Sequence, residues 1–98
     1  IAEGKEDGIW GVGRLVADPD RARAEFALLV RSDVKERGLG LRLLQTLIEC
    51  AQQMGIRELW GEVLAENHRM LALAEHFGFS RRAVEGRGDV LEVTLRLD

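Results

Sequence analysis

One stretch of the chain, from Ala24 to Gly40, constrains the fold more than the rest. Its first part, AEFALLVR, is apolar on both faces and predicts a central strand that carries one buried carboxylate, Glu25. Its second part is a basic, glycine-punctuated turn that opens onto an amphipathic helix, Leu39 to Met54. Gly-x-Gly at a helix start suits a diphosphate, because backbone N–H groups approach the anion closely and the helix dipole favours negative charge.

Length and composition exclude several classes of protein. With 98 residues and 46% hydrophobic content, the chain is expected to form a single domain over 1–98. A net charge of −3 argues against a nucleic-acid or anionic-membrane binder, so phosphate binding is expected to be local. The single cysteine, Cys50, and the absence of an apolar run near the ~20 residues of a membrane span predict a cytoplasmic protein.

Hydrophobic periodicity and turn residues predict the order β-β-β-α-β-α-β-β. Asp7-Gly8 predicts a hairpin between the first two strands, and Asn67 is expected to cap the second helix, which ends at Gly78. The turn between the last two strands is expected at Gly86 to Asp89. The predicted strands cover 1–3, 9–16, 24–31, 56–64, 79–84 and 90–97.

Two motifs carry a resemblance to a known family. The run Lys35-Glu36-Arg37-Gly38-Leu39-Gly40 resembles the acyl-CoA-binding motif of the GNAT superfamily of N-acetyltransferases, written Q/R-x-x-G-x-G/A. Asn67, followed by Gly78-Phe79, is similar to that superfamily's second signature. Within the superfamily, the chain most resembles the acetyltransferase domain of bacterial protein lysine acetyltransferases of the Pat type.

The resemblance implies an α/β fold with a mixed, mainly antiparallel sheet and helices on both faces. The chain lacks the family's first strand and first two helices, and it begins at Ile1 without methionine, so we expect a piece of a longer, N-terminally truncated protein. Acetyl-CoA is the implied co-substrate, with no metal. The implied cofactor-binding residues are Leu28, Leu29, Val30, Lys35, Arg37, Gly38, Leu39, Gly40, Leu41, Asn67 and Met70.

Glu25 is the expected general base. A buried carboxylate on an apolar strand is a better proton acceptor than an exposed one, and an acceptor ammonium must lose a proton before it can attack a thioester. A purely structural role, with Glu25 paired to Arg14 or Arg23 across a hairpin, is the alternative. Many members of the family use a tyrosine as general acid where this chain has Ala74, and the chain contains no tyrosine.

The resemblance implies transfer of an acetyl group to a lysine of a protein, with an acyl-CoA synthetase as one candidate acceptor. Transfer to a small-molecule amine and a catalytically silent acetyl-CoA sensor are the alternatives. Further domains fused to the chain are expected. The spacing of His68, His76 and Cys50 does not suit a metal site, and no function is assigned to Trp10 or Trp60.

Overall fold

The structure, a computed structural model, describes residues 2–5, 8–30 and 38–98. Strands and helices follow each other in the order predicted from the sequence. The elements are β1 (Ala2–Lys5), β2 (Gly8–Ala17), β3 (Arg23–Val30), α1 (Leu39–Gln53), β4 (Glu58–Leu64), α2 (His68–His76), β5 (Ser80–Val84) and β6 (Arg87–Arg96).

The strands form one six-stranded sheet in the spatial order β1-β2-β3-β4-β6-β5. All neighbouring strands are antiparallel except β3 and β4, which are parallel and joined through α1. A parallel pair needs such a crossover, whereas tight turns are enough for the antiparallel pairs. The predicted fold class, a mixed and mainly antiparallel α/β sheet, is confirmed.

Both helices pack against the same face of the sheet. The apolar stripe of α1 is buried at Leu39, Leu43, Leu44, Leu47 and Ala51. Leu71 and Ala74 of α2 join the same core as Phe26 of β3 and Val93 of β6. The helices expected on both faces are therefore found on one face, and no helix within the described ranges covers the other, which we call the open face.

The last hairpin differs from the prediction in the position of its turn. Arg87 already pairs with Val84, so the turn consists of Glu85 and Gly86 and not of the four residues that begin at Gly86. The second residue of this turn has a positive φ of 77°, which glycine adopts without strain, so Gly86 suits this position. Neither described helix is long and apolar enough to cross a membrane.

Candidate functional site

The parallel pair β3 and β4 separates soon after it forms. Only three residues of each strand pair, Arg23 to Glu25 with Glu58 to Trp60, whereas β2 stays paired with β3 as far as Val30. Beyond Glu25, the side of β3 that faces β4 has no strand partner among the described residues. The sheet therefore splits between β3 and β4, and an extended chain could hydrogen-bond to the exposed edge of β3.

Phe26 fills the base of this split on the helix-covered face. Its ring is 5% exposed and meets the ring of Phe79 edge-on, with 5.5 Å between the ring centroids. A Cβ at Gly61 of β4 would lie 2.8 Å from Phe26 Cε1 and 3.0 Å from the Phe26 carbonyl oxygen. Glycine at position 61 is therefore required for the close approach of β4 to Phe26.

The N-terminus of α1 has no side-chain cap. Gly38 precedes the helix in a left-handed conformation, φ 85° and ψ 1°, and the first helical hydrogen bond runs from the Arg42 N–H to the Gly38 carbonyl, 2.8 Å. The N–H groups of Leu39, Gly40 and Leu41 have no acceptor among the described residues, and the first turn holds no acidic side chain. This helix end can accept an anion.

The N-terminus of α2 lies nearby but is capped. A Cβ at Gly40 would contact Leu73 Cδ2 of α2 at 3.4 Å, so the first turn of α1 packs against α2. The Asn67 side-chain oxygen accepts a hydrogen bond from the Met70 N–H, 3.1 Å. Because β3 and β4 are parallel, α1 and α2, which follow them, both begin at the same edge of the sheet, and the exposed Asn67 lies at that edge.

The remaining residues predicted to bind the cofactor fall into four groups. Leu28 and Met70 are half-buried and pack against the core, and Leu39 is 1% exposed, so its side chain belongs to the core. Leu29 is 73% exposed on the open face. Val30 and Leu41 are half-buried. Lys35 and Arg37 lie outside the described residues.

Glu25 is exposed, and the expectation that it is buried was wrong. Side chains alternate along β3, so Ala24 and Phe26 enter the core while Glu25 points to the open face, which no described helix covers. The apolar alternation suggested burial on both faces, but only one face of β3 is buried. Glu25 lies at the last paired position before the split, opposite Val16 of β2 and Trp60 of β4.

The structural role considered for Glu25 is not found. Within the described part of the chain Glu25 makes no ion pair, with Arg14 or with Arg23. Arg23 pairs instead with Glu58, and its guanidinium carbon lies 5.2 Å from the centroid of the Trp60 ring. The Glu25 carboxylate is thus left without an ionic partner among these residues.

Trp60, to which no function was assigned from the sequence, lies beside Glu25. It is half-buried on the open face, next to Glu25 and beneath Arg23. The alternation of side chains along β4 could have predicted this position. Trp60 is in phase with Glu58 and Glu62 and out of phase with the buried Leu59 and Val63. A tryptophan in phase with glutamates is expected on an open face.

No group of three or more His, Cys, Asp or Glu side chains among the described residues could hold a metal ion. The candidate site is therefore built from backbone N–H groups, the open edge of a strand and one exposed carboxylate.

The fold and the site define a class of α/β protein in which a split sheet and an uncapped helix end are placed to hold an extended, anionic ligand. The model of the acetyltransferase (GNAT) family matches residues 1–79, and the chain belongs to this family. The family resemblance of the two sequence motifs is thereby confirmed.

Among curated relatives, the chain is similar to the [ribosomal protein bS18]-alanine N-acetyltransferase of Escherichia coli (strain K12). The two are 33% identical over 78 residues, which is 71% of this chain and 53% of that protein. The chain thus spans about half the length of this relative.

Two solved structures share the fold. The GNAT domain of PAT from S. lividans is 23% identical with a TM-score of 0.82, covering 98% of this chain and 58% of the other. The structure of yncA from Salmonella typhimurium, solved with its cofactor acetyl-CoA, is 24% identical with a TM-score of 0.78, covering 92% of this chain and 59% of the other.

Proposed function

We propose that the protein is an acetyl-CoA-dependent N-acetyltransferase. The observation that carries this proposal is the placement of the split between β3 and β4 beside the uncapped N-terminus of α1. A strand edge and a cluster of N–H groups together suit a ligand that has a linear amide-containing arm and a diphosphate. Acetyl-CoA has both, and family membership agrees with it as co-substrate.

The described backbone fits this co-substrate at two places. The N–H groups of Leu39, Gly40 and Leu41 hold the diphosphate, with Lys35 and Arg37 supplying positive charge. The backbone of Leu28, Leu29 and Val30 pairs with the pantetheine arm as an added strand would. Asn67 and Met70 lie at the start of α2, at the edge of the sheet where α1 also begins, which supports a role for both in binding the co-substrate.

Glu25 acts as the general base in this proposal. Acetyl-CoA supplies an acyl group activated as a thioester, and an amine must be neutral to attack it. Exposure lets the Glu25 carboxylate take the proton from an incoming ammonium, directly or through one water molecule, at the entrance to the split. A backbone N–H of Leu28 to Val30 stabilises the oxyanion that forms.

The departing thiolate is protonated by water in this proposal. The position where many family members carry a tyrosine is Ala74, which is buried in α2 and has no proton to donate. A thiol titrates near ~8.5, so a thiolate leaves without enzymic help more readily than an alkoxide would.

A lysine side chain of a protein is the acceptor we propose, as in the Pat-type resemblance. An acyl-CoA synthetase is one candidate acceptor, and we expect further domains fused to this one in a cytoplasmic protein. A second candidate acceptor is the N-terminal amine of a protein, which the similarity to the bS18-alanine acetyltransferase favours. Both acceptors are primary amines that are protonated at neutral pH to a large extent, so both need a base.

Glu25→Gln tests the enzymic role. The amide keeps the size of the side chain but cannot accept the proton, so we expect turnover to fall by roughly 10²- to 10⁴-fold at neutral pH. Acetyl-CoA affinity should be nearly unchanged. The residual rate should recover as the pH rises toward the lysine pKa of about 10.4, because the acceptor then loses its proton to solvent. The measurement is a pH–rate profile of the full-length protein, followed by release of CoA.

Glu92→Gln is the matched control, since it removes a carboxylate from the same face of the sheet but on β6, which is separated from β3 by β4. The acceptors compared are an acyl-CoA synthetase, an N-terminal bS18 peptide and a free polyamine. Full activity of Glu25→Gln at neutral pH would show that Glu25 is not the base. Binding of acetyl-CoA by the wild type without transfer to any acceptor would favour the sensor, and transfer to the polyamine alone would favour a small-molecule enzyme.

A further inference from the structure

Arg23 is the cation of β3 that could pair with Glu25. The two residues are two positions apart on one strand, so both side chains project from the open face, with about 6.6 Å between their positions along the strand. A guanidinium on its three-carbon stem spans this distance. Instead, the Arg23 Nε donates a hydrogen bond to the Glu58 carboxylate.

Two contacts draw the Arg23 side chain toward β4. Arg23 lies directly opposite Glu58 in the parallel register, and the ion pair is partly shielded, with 43% of the Arg23 side chain and 31% of the Glu58 side chain exposed. The guanidinium also lies 5.2 Å above the Trp60 ring, within the range of a cation–π contact. Glu58 thus holds Arg23 at the paired end of β3 and β4.

None of the other charged groups near Glu25 forms an ion pair with it among the described residues. Arg14 of β2 is opposite Ala27, one diagonal step from Glu25, and makes no ion pair within the described residues. Asp18, at the end of β2, donates its backbone N–H to the Arg23 carbonyl, 2.9 Å. The charged residues that face Glu25 from the three strands and the turn are Arg14 and Asp18, Arg23, and Glu58 and Glu62.

We propose that Glu58 is a positioning residue that keeps Arg23 from pairing with Glu25, so that the Glu25 carboxylate stays free to accept a proton. A carboxylate that is ion-paired to arginine holds a proton less readily and is a poorer base. The proposal rests on the proposed role of Glu25. In this proposal Arg23 does not contact the substrate. Arg23 therefore affects turnover only when it is no longer paired with Glu58.

The test follows the titration of the Glu25 carboxyl group itself by ¹³C NMR of the glutamate-labelled full-length protein, without acetyl-CoA or acceptor. The Glu25 resonance is assigned by its loss in Glu25→Gln. In Glu58→Gln, Arg23 is released to Glu25, and the titration midpoint of Glu25 should move to lower pH by about one unit. The double variant Arg23→Gln with Glu58→Gln should return the midpoint to the wild-type value, since the released cation is gone.

Glu92→Gln is again the matched control, because it breaks the ion pair of Glu92 with Arg82 on the same face without releasing Arg23. Its Glu25 midpoint should equal that of the wild type. Should Glu58→Gln unfold below the assay temperature, Glu58→Asp replaces it, since the shorter carboxylate keeps the charge but loses the reach to Arg23. A smaller displacement in the same direction is then expected.

An unmoved midpoint in Glu58→Gln, or in Glu58→Asp where it is used, would overturn the proposal. So would a displacement that persists in the double variant, because Glu58 would then act through its own charge and not through Arg23. Turnover should fall when the titration midpoint of Glu25 falls. We expect a decrease of about three- to tenfold in Glu58→Gln and recovery in the double variant. If the midpoints behave as expected but Glu25→Gln keeps full turnover, the positioning stands and the role of Glu25 as base fails.

Discussion

The two helices of this protein begin in opposite ways although both begin at the same edge of the sheet. α1 starts after Gly38 with no side-chain cap, and three of its N–H groups have no acceptor among the described residues. α2 starts after Asn67, whose side chain accepts the Met70 N–H. A helix end without a cap residue is less stable than a capped one. In this protein the uncapped end is the one that carries the Gly-x-Gly motif.

This difference indicates which helix end is built for a ligand. An internal cap satisfies the helix and competes with an anion for the same N–H groups, whereas Gly38 leaves those groups open. The same class of residue that would stabilise α1, an aspartate or asparagine cap, would also obstruct it. The lower intrinsic stability of the start of α1 is therefore consistent with binding of a diphosphate there.

The largest effect is expected from making the start of α1 acidic. Gly38→Asp and Gly40→Asp each place a carboxylate where the diphosphate should lie, and like charges at close range should weaken acetyl-CoA binding about 100-fold or more. The helix itself should not suffer from the charge, because a carboxylate at a helix N-terminus is favourable. Calorimetric titration of the full-length protein with acetyl-CoA measures the loss.

Gly38→Asn is the matched control for Gly38→Asp. Asparagine has nearly the same size and tolerates the left-handed conformation of Gly38, φ 85°, but carries no charge. Asparagine can obstruct the N–H groups as a cap just as aspartate can, but it adds no repulsion of the diphosphate, so we expect it to weaken binding less than the aspartate does. Equal affinities for acetyl-CoA in the wild type and both aspartate variants would show that the diphosphate does not bind at this helix end.

An intermediate effect is expected at Asn67, where two substitutions separate capping from ligand contact. Asn67→Asp keeps the cap but replaces the amide donor with a negative charge, so the melting temperature should hold while acetyl-CoA affinity falls about tenfold. Asn67→Ala loses the cap, which should lower the free energy of unfolding by about 1 kcal/mol and the melting temperature by about 4–8 °C. Thermal melts and titrations of both variants check this. Unchanged affinity in Asn67→Asp would leave Asn67 as a cap only.

The smallest effect concerns the charges that precede α1. If Lys35 and Arg37 neutralise the diphosphate, raising the salt concentration should weaken acetyl-CoA binding by about two- to fivefold for each charge, because exposed charges are screened. Lys35→Glu should weaken binding at low salt and reduce the salt dependence. Affinity that responds neither to salt nor to this substitution would place the diphosphate elsewhere.

The order of elements could be predicted from sequence because each boundary carries a local signal. Asn67 does cap α2, and the apolar stripe of α1 is the buried one. The turn before β6 was misplaced because Gly86, Gly88 and Asp89 are residue types common in turns, whereas the hairpin register is decided by pairing with β5. Local composition could not decide between the two registers.

The exposure of Glu25 could not be predicted for a different reason. Ala27 and Leu29 made both faces of β3 apolar, yet both are exposed, because burial depends on what covers a face and not on the strand alone. The pairing of Arg23 with Glu58 could not be predicted from the sequence either. It depends on the register of two strands, and the two residues are 35 positions apart in the chain.

The three residue pairs that join β3 to β4 also have a consequence for folding kinetics. The strands β1 to β3 form consecutive hairpins, and β5 and β6 form another, so these two units can assemble through short loops. Strand β4 pairs only with residues far away in the chain: β3 is 35 residues away at the Arg23–Glu58 pair, and β6 is reached through α2 and β5. Such non-local contacts form slowly, so we expect the two hairpin units to fold early and β4 to dock between them late. The entrance to the split, with Glu25 beside Trp60, then exists only after the final docking step, so partly folded chains have no place for the acceptor amine.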